Sequence, residues 1–450
     1  MDSDFWTKQP KKNPRLKYLK IGDILKYSQY GISVSMNEDG NGYPIYRMNE
    51  IHNMLCDLSV DKCADISQEE FQKFELKDRD VLFNRTNSFE WVGRTGVYYQ
   101  NDEIKKTFAS YLVRFNPDES IVLPEYFATF LNTKQGVWDV KRRARQSINQ
   151  TNVNPEEVKE IEIPILPMDF QNEIRNRFEK ANKNRILSQQ IYRQAEELLL
   201  ETIGFKDFAP SQEKTNIKSF KESFLSTGRL DAEYYQPKYE DYIDLVKNHK
   251  NGFELLQTAC NLKDSNFAPE GIKDYQYIEL ADIGKSGNIT GCTTAKGNDL
   301  PSRARRKVNT NDVIISSIEG SLDSCALVTR DYDNALCSTG FYVVNSQKVN
   351  SETLLVLFKS EVMQNILKQC CSGTILTAIN KTEFQNIPIP LIDVPTQQQI
   401  SVLIRKSFAL RKESERLLAE AKEMVEREIE GWNEGVLELS EYKQIYPVLK

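Results

Sequence analysis

At 450 residues and 52.0 kDa the chain is too long for one ordinary core, so two domains plus connecting elements are expected. With 40% hydrophobic and 28% charged residues it has the composition of a soluble globular protein; no apolar run nears the roughly 20 residues that span a bilayer, and the N-terminus lacks a signal peptide's apolar stretch. A net charge of −6 argues mildly against nucleic acid, but the charge is uneven, with basic clusters at Lys141–Arg145 and Arg303–Lys307 and a Glu-rich stretch from Glu413 to Glu434.

Residues 1–160 read as one α/β unit. Short β-like runs at Tyr43–Met48, Val81–Phe83, Gly96–Tyr99 and Tyr111–Phe115 are separated by turn residues. One helix is predicted from Pro124 through PEYFATFLNTKQGVWDVKRRA, with Phe127, Phe130, Leu131, Val137 and Trp138 on a three-to-four spacing. Residues 161–204 open with an extended segment marked by Pro164 and Pro167. They continue as a long charged helix that stops at Gly204.

Residues 205–386 repeat the plan with other side chains. Tyr43, Tyr46 and Ile51 find counterparts 232 positions on in Tyr275, Ile278 and Ile283, and Asp80–Val81 in Asp312–Val313. Further along the offset is 226, relating Leu131 to Leu357, Thr151 to Thr377 and Asn154 to Asn380. It then holds without gaps from Ile161–Ile387 to Ala195–Ala421, so residues 387–431 are a second proline-marked helix and 432–450 a C-terminal tail. Such an offset is an internal duplication. Framework positions are shared, yet FNRTNSFEWVGRTG and ISSIEGSLDSCALVTR occupy the same place with different hydrogen-bonding groups. That suits two related modules that recognise two different things.

Taking Ile174 as heptad position a, the first helix has Ile174, Ala181, Ser188 and Ala195 at a, with Phe178, Arg185, Tyr192 and Leu199 at d. The second has Ile400, Ser407, Ser414 and Ala421 at a, with Ile404, Arg411, Leu418 and Val425 at d. A small-residue row beside a large-residue row predicts close pairing of the two helices. Each face is narrow for a domain's own core, so mutual pairing is preferred to two helices each lying on its own domain. Connectivity makes the pair antiparallel, a rod of roughly 50 Å at about 1.5 Å per residue. Thr396 and Gln399 after Pro395 suggest a capping box. The fold class expected is α+β, two pseudo-repeated α/β domains separated by a long antiparallel two-helix coiled coil.

Catalytic signals are weak. The two histidines, His52 and His249, lie in unrelated settings, and the eight cysteines contain no CxxC pair, so neither a catalytic histidine, a metal site nor a disulfide framework is expected. Gly284–Ser286 lacks the glycine five positions before it that a phosphate loop needs, and reads as a turn after YIELADI. No amino-methyltransferase tetrapeptide is present. A reducing cytoplasm fits best.

The segments DVLFNRTNSFEWVGRTG, IEIPILPMDFQNEI, GRLDAEYYQPKY and IPIPLIDVPTQQQI, in this order and on a duplicated plan, resemble the specificity (S) subunit of type I restriction–modification systems. Together with the repeat plan they cover nearly the whole chain. The second module's DVIISSIEG departs from the Asn-Arg-Thr-Asn pattern, which fits a different target. The resemblance implies two target-recognition domains that each read half of a bipartite double-stranded DNA site, with a spacer set by the helices. It also implies two methyltransferase (M) subunits carrying S-adenosylmethionine, motor/nuclease (R) subunits using ATP and Mg, and no catalysis, cofactor or metal in this chain itself. Half-sites at least about one DNA turn (34–36 Å) apart suit such a rod.

Base-contact candidates are then Arg85, Asn87 and Arg94 in the first module and Ser317, Glu319 and Ser321 in the second, since Arg and Asn can pair bidentately with guanine and adenine edges. The alternative for Asn84–Ser88 is a turn that satisfies its own backbone. Arg142, Arg143, Arg145, Arg303, Arg305, Arg306 and Lys307 are expected at phosphates, which position without specifying. Two other readings compete. One is the specificity subunit of a combined enzyme of the IIB or IIG kind. The other is a coiled-coil scaffold that binds only proteins, supported by the acidic pI.

Overall fold

The structure, a computed structural model, describes residues 12–148, 150–373 and 377–431. The tail 432–450 lies outside the described residues. The chain divides into two compact units, Met1–Ile186 with Leu410–Lys450, and Leu187–Ala409.

In the first unit the sheet runs Leu25–Tyr30, Leu112–Pro117, Val81–Asn84, Thr95–Val97, Leu55–Cys56 and Ile51–His52, antiparallel except where Thr95–Val97 meets Leu55–Cys56. Val81, Leu82 and Phe83 are all fully buried because both faces of this central strand are covered. Val81 and Phe83 join the core under the helix Pro124–Asn132, while Leu82 joins a second cluster with Tyr98, Phe108 and Leu112. A smaller sheet, Thr107–Phe108, Tyr43–Tyr46, Cys63–Ala64 and Met36–Asn37, packs beyond.

The second unit repeats the order Asn261–Leu262, Phe341–Asn345, Val313–Ser316, Cys325–Leu327, without the last two strands of the first. Its smaller sheet runs Thr293–Lys296, Asp274–Ile278, Leu336–Ser338, Ala304–Lys307. The aspartates that open the central strands do one job in both. Asp80 accepts from the Lys77 N–H (2.8 Å) and Arg114 (2.8 Å); Asp312 accepts from the Asn309 N–H (2.8 Å) and Lys263 (2.6 Å).

The single helix predicted from Pro124 is two helices, Pro124–Asn132 and Lys134–Lys141. Thr133 separates them: its hydroxyl donates to the Phe130 carbonyl (2.6 Å) and accepts from the Gly136 N–H (3.1 Å). Ser360 does the same with Leu357 and Met363 between Ser351–Lys359 and Glu361–Cys370. A hydroxyl that competes for the backbone ends one helix and caps the next, which apolar spacing alone does not register.

The long helices span Met168–Thr202 and Val394–Glu430. Gly204 follows the first with φ +81° and donates to the Glu201 carbonyl at 3.1 Å. The cap of the second is Asp393 rather than Thr396; its carboxylate accepts the Thr396 N–H at 2.9 Å and hydroxyl at 3.0 Å, so the helix starts earlier than the capping-box reading places it. Buried Gln171 and Gln397 tie each helix start to its module. Gln171 accepts from the Leu123 N–H (2.8 Å) and donates to the Ile121 and Leu166 carbonyls; Gln397 accepts from the Asn350 N–H (2.7 Å) and donates to those of Lys348 and Ile392.

The predicted seam residues Ile174, Phe178, Ala181, Ser188, Ala195, Ile400, Ile404, Ser407, Ser414 and Ala421 are all buried. Within the first unit the Ser414 hydroxyl donates to the Ala181 carbonyl at 2.8 Å; within the second, the Ser407 hydroxyl donates to the Ser188 carbonyl at 2.8 Å. Seven residues forward on one helix are seven backward on the other, the signature of antiparallel pairing. The seam is not separate from the modules, however. Ile174, Phe178, Ala181, Leu418, Ala421 and Val425 belong to one core with Phe83, Phe115 and Phe127, and Ala195, Leu199, Ile400 and Ile404 to one core with Val313, Ile315 and Leu357. Each helix half both pairs with its partner and completes a domain core. Arg185 leaves the seam to donate to the Cys56 carbonyl at 2.7 Å.

Candidate nucleic-acid interface

The divergent loop of the first unit follows the central strand. Buried Asn84 anchors it, its amide donating to the Met48 carbonyl (3.0 Å) and its carbonyl oxygen accepting from the Thr86 N–H (3.3 Å). Asn84 and Arg94 are joined across the loop by an N–H to carbonyl bond of 2.8 Å. Gly93, at φ +91°, lies where a Cβ would come within 2.7 Å of Val140. Thr86–Asn87 pairs with Thr151–Asn152, which pairs in turn with Arg145–Gln146, so a three-stranded ribbon gathers the loop and the end of the basic cluster. In the second unit Cys371–Ser372 pairs with Ala378–Ile379, and Ala378 bridges to Ile318 at the equivalent place.

The first-unit candidates sit on this ribbon and loop. The Arg85 guanidinium lies over the Tyr30 ring at 5.2 Å and reaches the Ser110 carbonyl at 3.4 Å. Arg94 is stacked on Trp91, its guanidinium carbon 3.4 Å from the ring centroid. Burial lowers Arg94 to about 10, still cationic at neutral pH. Asn87 spends its side-chain oxygen on the Ser88 N–H at 2.8 Å, the self-satisfied turn of the alternative reading.

In the second unit Ser317 donates to the Gly340 carbonyl (2.9 Å), and the Ser321 hydroxyl meets that of Ser316 (2.9 Å). Glu319 is exposed, its backbone N–H bonded to the Thr377 carbonyl at 3.0 Å. Of these, Ser317 borders a cleft of about 520 Å³ lined also by Glu279, Arg303 and Thr339.

The basic clusters divide into inward and outward residues. Arg145 is 75% exposed beside Glu157 (2.5 Å), and Arg303 is 59% exposed beside Glu279 (3.0 Å). Lys307 is exposed above the Phe267 ring, and half-buried Arg305 donates to the Ser302 carbonyl at 3.0 Å. Arg142 and Arg143 do not fit the expectation of phosphate contact. Both guanidiniums fold back onto Asp139 and are nearly buried, because the helix Lys134–Lys141 places that carboxylate one turn behind them. Arg306 also turns inward, reaching the Lys263 carbonyl at 3.4 Å.

Residues outside the candidate sets hold these side chains and the loop. Trp91 is the platform for Arg94, and Tyr30 for Arg85. Lys141, buried, donates to the Phe89 carbonyl and to the Glu90 carbonyl (3.0 Å), pinning the divergent loop; burial pushes its amine down to about 8. The Trp91–Arg94 spacing on one loop was the available signal. Among the described residues no group of three or more His, Cys, Asp or Glu could hold a metal, and no helix is long and apolar enough to cross a membrane.

One frame, built twice and carrying different polar groups at the same edge, defines a two-headed recognition protein. The chain belongs to the type I restriction modification DNA specificity domain family, whose profile matches residues 15–197 and again 253–418. It is similar to a Methanocaldococcus jannaschii protein with the provisional name type I restriction enzyme MjaX specificity subunit, 23% identical over 406 residues, or 88% of this chain and 89% of that one. The Escherichia coli K12 type I restriction enzyme EcoKI specificity subunit is 26% identical over 165 residues, 36% of this chain and 35% of its own. Among solved structures, the S subunit of a type I restriction–modification system from M. genitalium aligns over 93% of this chain and 98% of its own, at 12% identity and a TM-score of 0.44.

Proposed function

We propose that this chain is the non-catalytic DNA reader of its restriction–modification complex. Each domain recognises one half of a bipartite site through the loop beside its central strand, and the long helices set the spacing between the halves. The supporting observation is that the Asn84–Arg94 loop and the Ser317–Ser321 segment occupy the same frame position with unlike side chains. Arg85 and Arg94, each held against an aromatic ring, are poised for base edges; Arg145 and Lys307, exposed at the margins, suit phosphates. Methyltransferase subunits bring S-adenosylmethionine to adenine, and motor/nuclease subunits bring ATP and Mg. The setting is cytoplasmic. Mapping methylated adenines across a genome with and without this chain tests the reading. One split, non-palindromic motif should lose its methylation on deletion; an unchanged methylation map overturns the proposal.

A further inference from the structure

The two domains share a turn that none of the candidates above includes. In the first, strand Tyr43–Tyr46 leads into Arg47–Glu50. The Glu50 carboxylate accepts from the Arg47 N–H (2.6 Å), Nε (3.1 Å) and Nη2 (2.5 Å), and the Glu50 N–H donates to the Arg47 carbonyl at 3.3 Å. In the second, 232 positions on, strand Asp274–Ile278 leads into Glu279–Asp282. The Asp282 carboxylate accepts from the Glu279 N–H at 2.8 Å, and the Asp282 N–H donates to the Glu279 carbonyl at 3.1 Å. The turn is the same and so is the acid three residues on. The side chain it presents is a cation in one domain and an anion in the other.

Both turns lie beside the divergent segments. The Met48 carbonyl, next to Arg47, is the acceptor that anchors Asn84, and Glu279 walls the cleft shared with Ser317 and Thr339. Arg303 lines that cleft and is held at two points, donating through Nη2 to Glu279 Oε1 (3.0 Å) and through Nε to the Tyr277 hydroxyl (3.2 Å). Tyr277 is itself 1% exposed, so this fork is fixed rather than free to sweep the surface.

A carboxylate on the wall, that of Glu279, repels a phosphate. The groups that match an acceptor beside a fixed donor fork are base edges: the amino group of cytosine for Glu, N7 and O6 of guanine for Arg. On the reading that this chain recognises DNA, we infer that position 47 in one domain and 279 in the other determine specificity. Arg47, braced by Glu50, reads a guanine in the first half-site. Glu279 and Arg303 together read a cytosine–guanine pair in the second. Arg303 is thereby a base reader rather than a phosphate contact.

The test uses the intact complex with single substitutions Arg47→Lys, Glu279→Gln and Arg303→Lys, read by mapping adenine methylation. The wild-type complex is mapped first, so failure of the DNA-reading proposal itself appears there as the absence of a split motif. Lysine keeps the charge a phosphate needs but loses the bidentate fork a guanine needs. Arg47→Lys should relax one base position of the first half-site, and the other two changes one position of the second, each about tenfold or more, with the opposite half-site unchanged. A uniform fall without relaxation, relaxation in the wrong half-site, or no change overturns the inference. If a variant complex methylates nothing, binding of the purified complex to duplexes bearing each base at each position applies the same criteria.

Discussion

At the scale of single residues, position in the backbone decides what a charge can do. Within the run Lys141 to Arg145, Lys141 faces loop carbonyls, Arg142 and Arg143 face Asp139, and Arg145 faces out. A charge run in sequence therefore says little about a charged surface: at the helix end Arg142 and Arg143 fold back onto Asp139 and Lys141 turns to the loop, while the ribbon that follows leaves Arg145 outward. Lys141 carries a testable consequence. Its folded value of about 8 lies below the ordinary 10.5, so between these the unfolded chain holds a proton that the folded one has released. Raising pH through that window stabilises the fold. Compared with Lys141→Gln, which has no such proton, the wild-type chain should gain urea stability between pH 7 and pH 10; a gap independent of pH would mean the amine is not held neutral. The candidate loop was only partly legible for a related reason. Arg85 and Arg94 stand out as divergent loop residues, but Trp91 and Lys141, which hold that loop, act through stacking and main-chain contacts that no spacing rule encodes.

At the scale of elements, what repeats every few residues was legible and what depends on one hydroxyl or amide was not. The central strands, the two long helices and their stops follow from apolar runs, a constant offset and glycine. The break at Thr133, the Asp393 cap and the inward tie of Gln171 each rest on the hydrogen bonds of a single side chain. The helix pair also shows why a one-sided change is a poor test of spacing. Four residues added near Ser188 alone would shift that helix against Ser407 and Ser414 and misplace the domain-core residues on one side of the insertion. A matched pair of heptad insertions, one between Ala181 and Ser188 and one between Ser407 and Ser414, keeps the register. If the helices set the spacer, it should lengthen the methylated motif's central gap by about three base pairs, since seven residues add about 10 Å and a base pair about 3.4 Å. Both half-sites should stay as they were. An altered half-site, or an unaltered gap, would separate spacing from the helices.

At the scale of the molecule, duplication supplies the frame and divergence supplies the difference between the two heads. The shared parts are the sheet order, the aspartate opening each central strand, the glutamine at each helix start and the hydroxyl between paired helices. Yet the two copies are not equivalent as stretches of chain. The second unit is continuous, Leu187–Ala409, whereas the first needs Leu418, Ala421, Val425 and Ile429 from the far end to close over Ile174 and Phe178. A ribosome therefore delivers the complete second domain before it delivers the last pieces of the first. Chains stopped after Ala409 should show a protease-resistant second domain beside a readily cleaved first one; equal resistance in both would show that the late helix adds nothing to the early fold. On this order of synthesis the head encoded first is the head finished last, because its core waits for residues synthesised after the whole second unit.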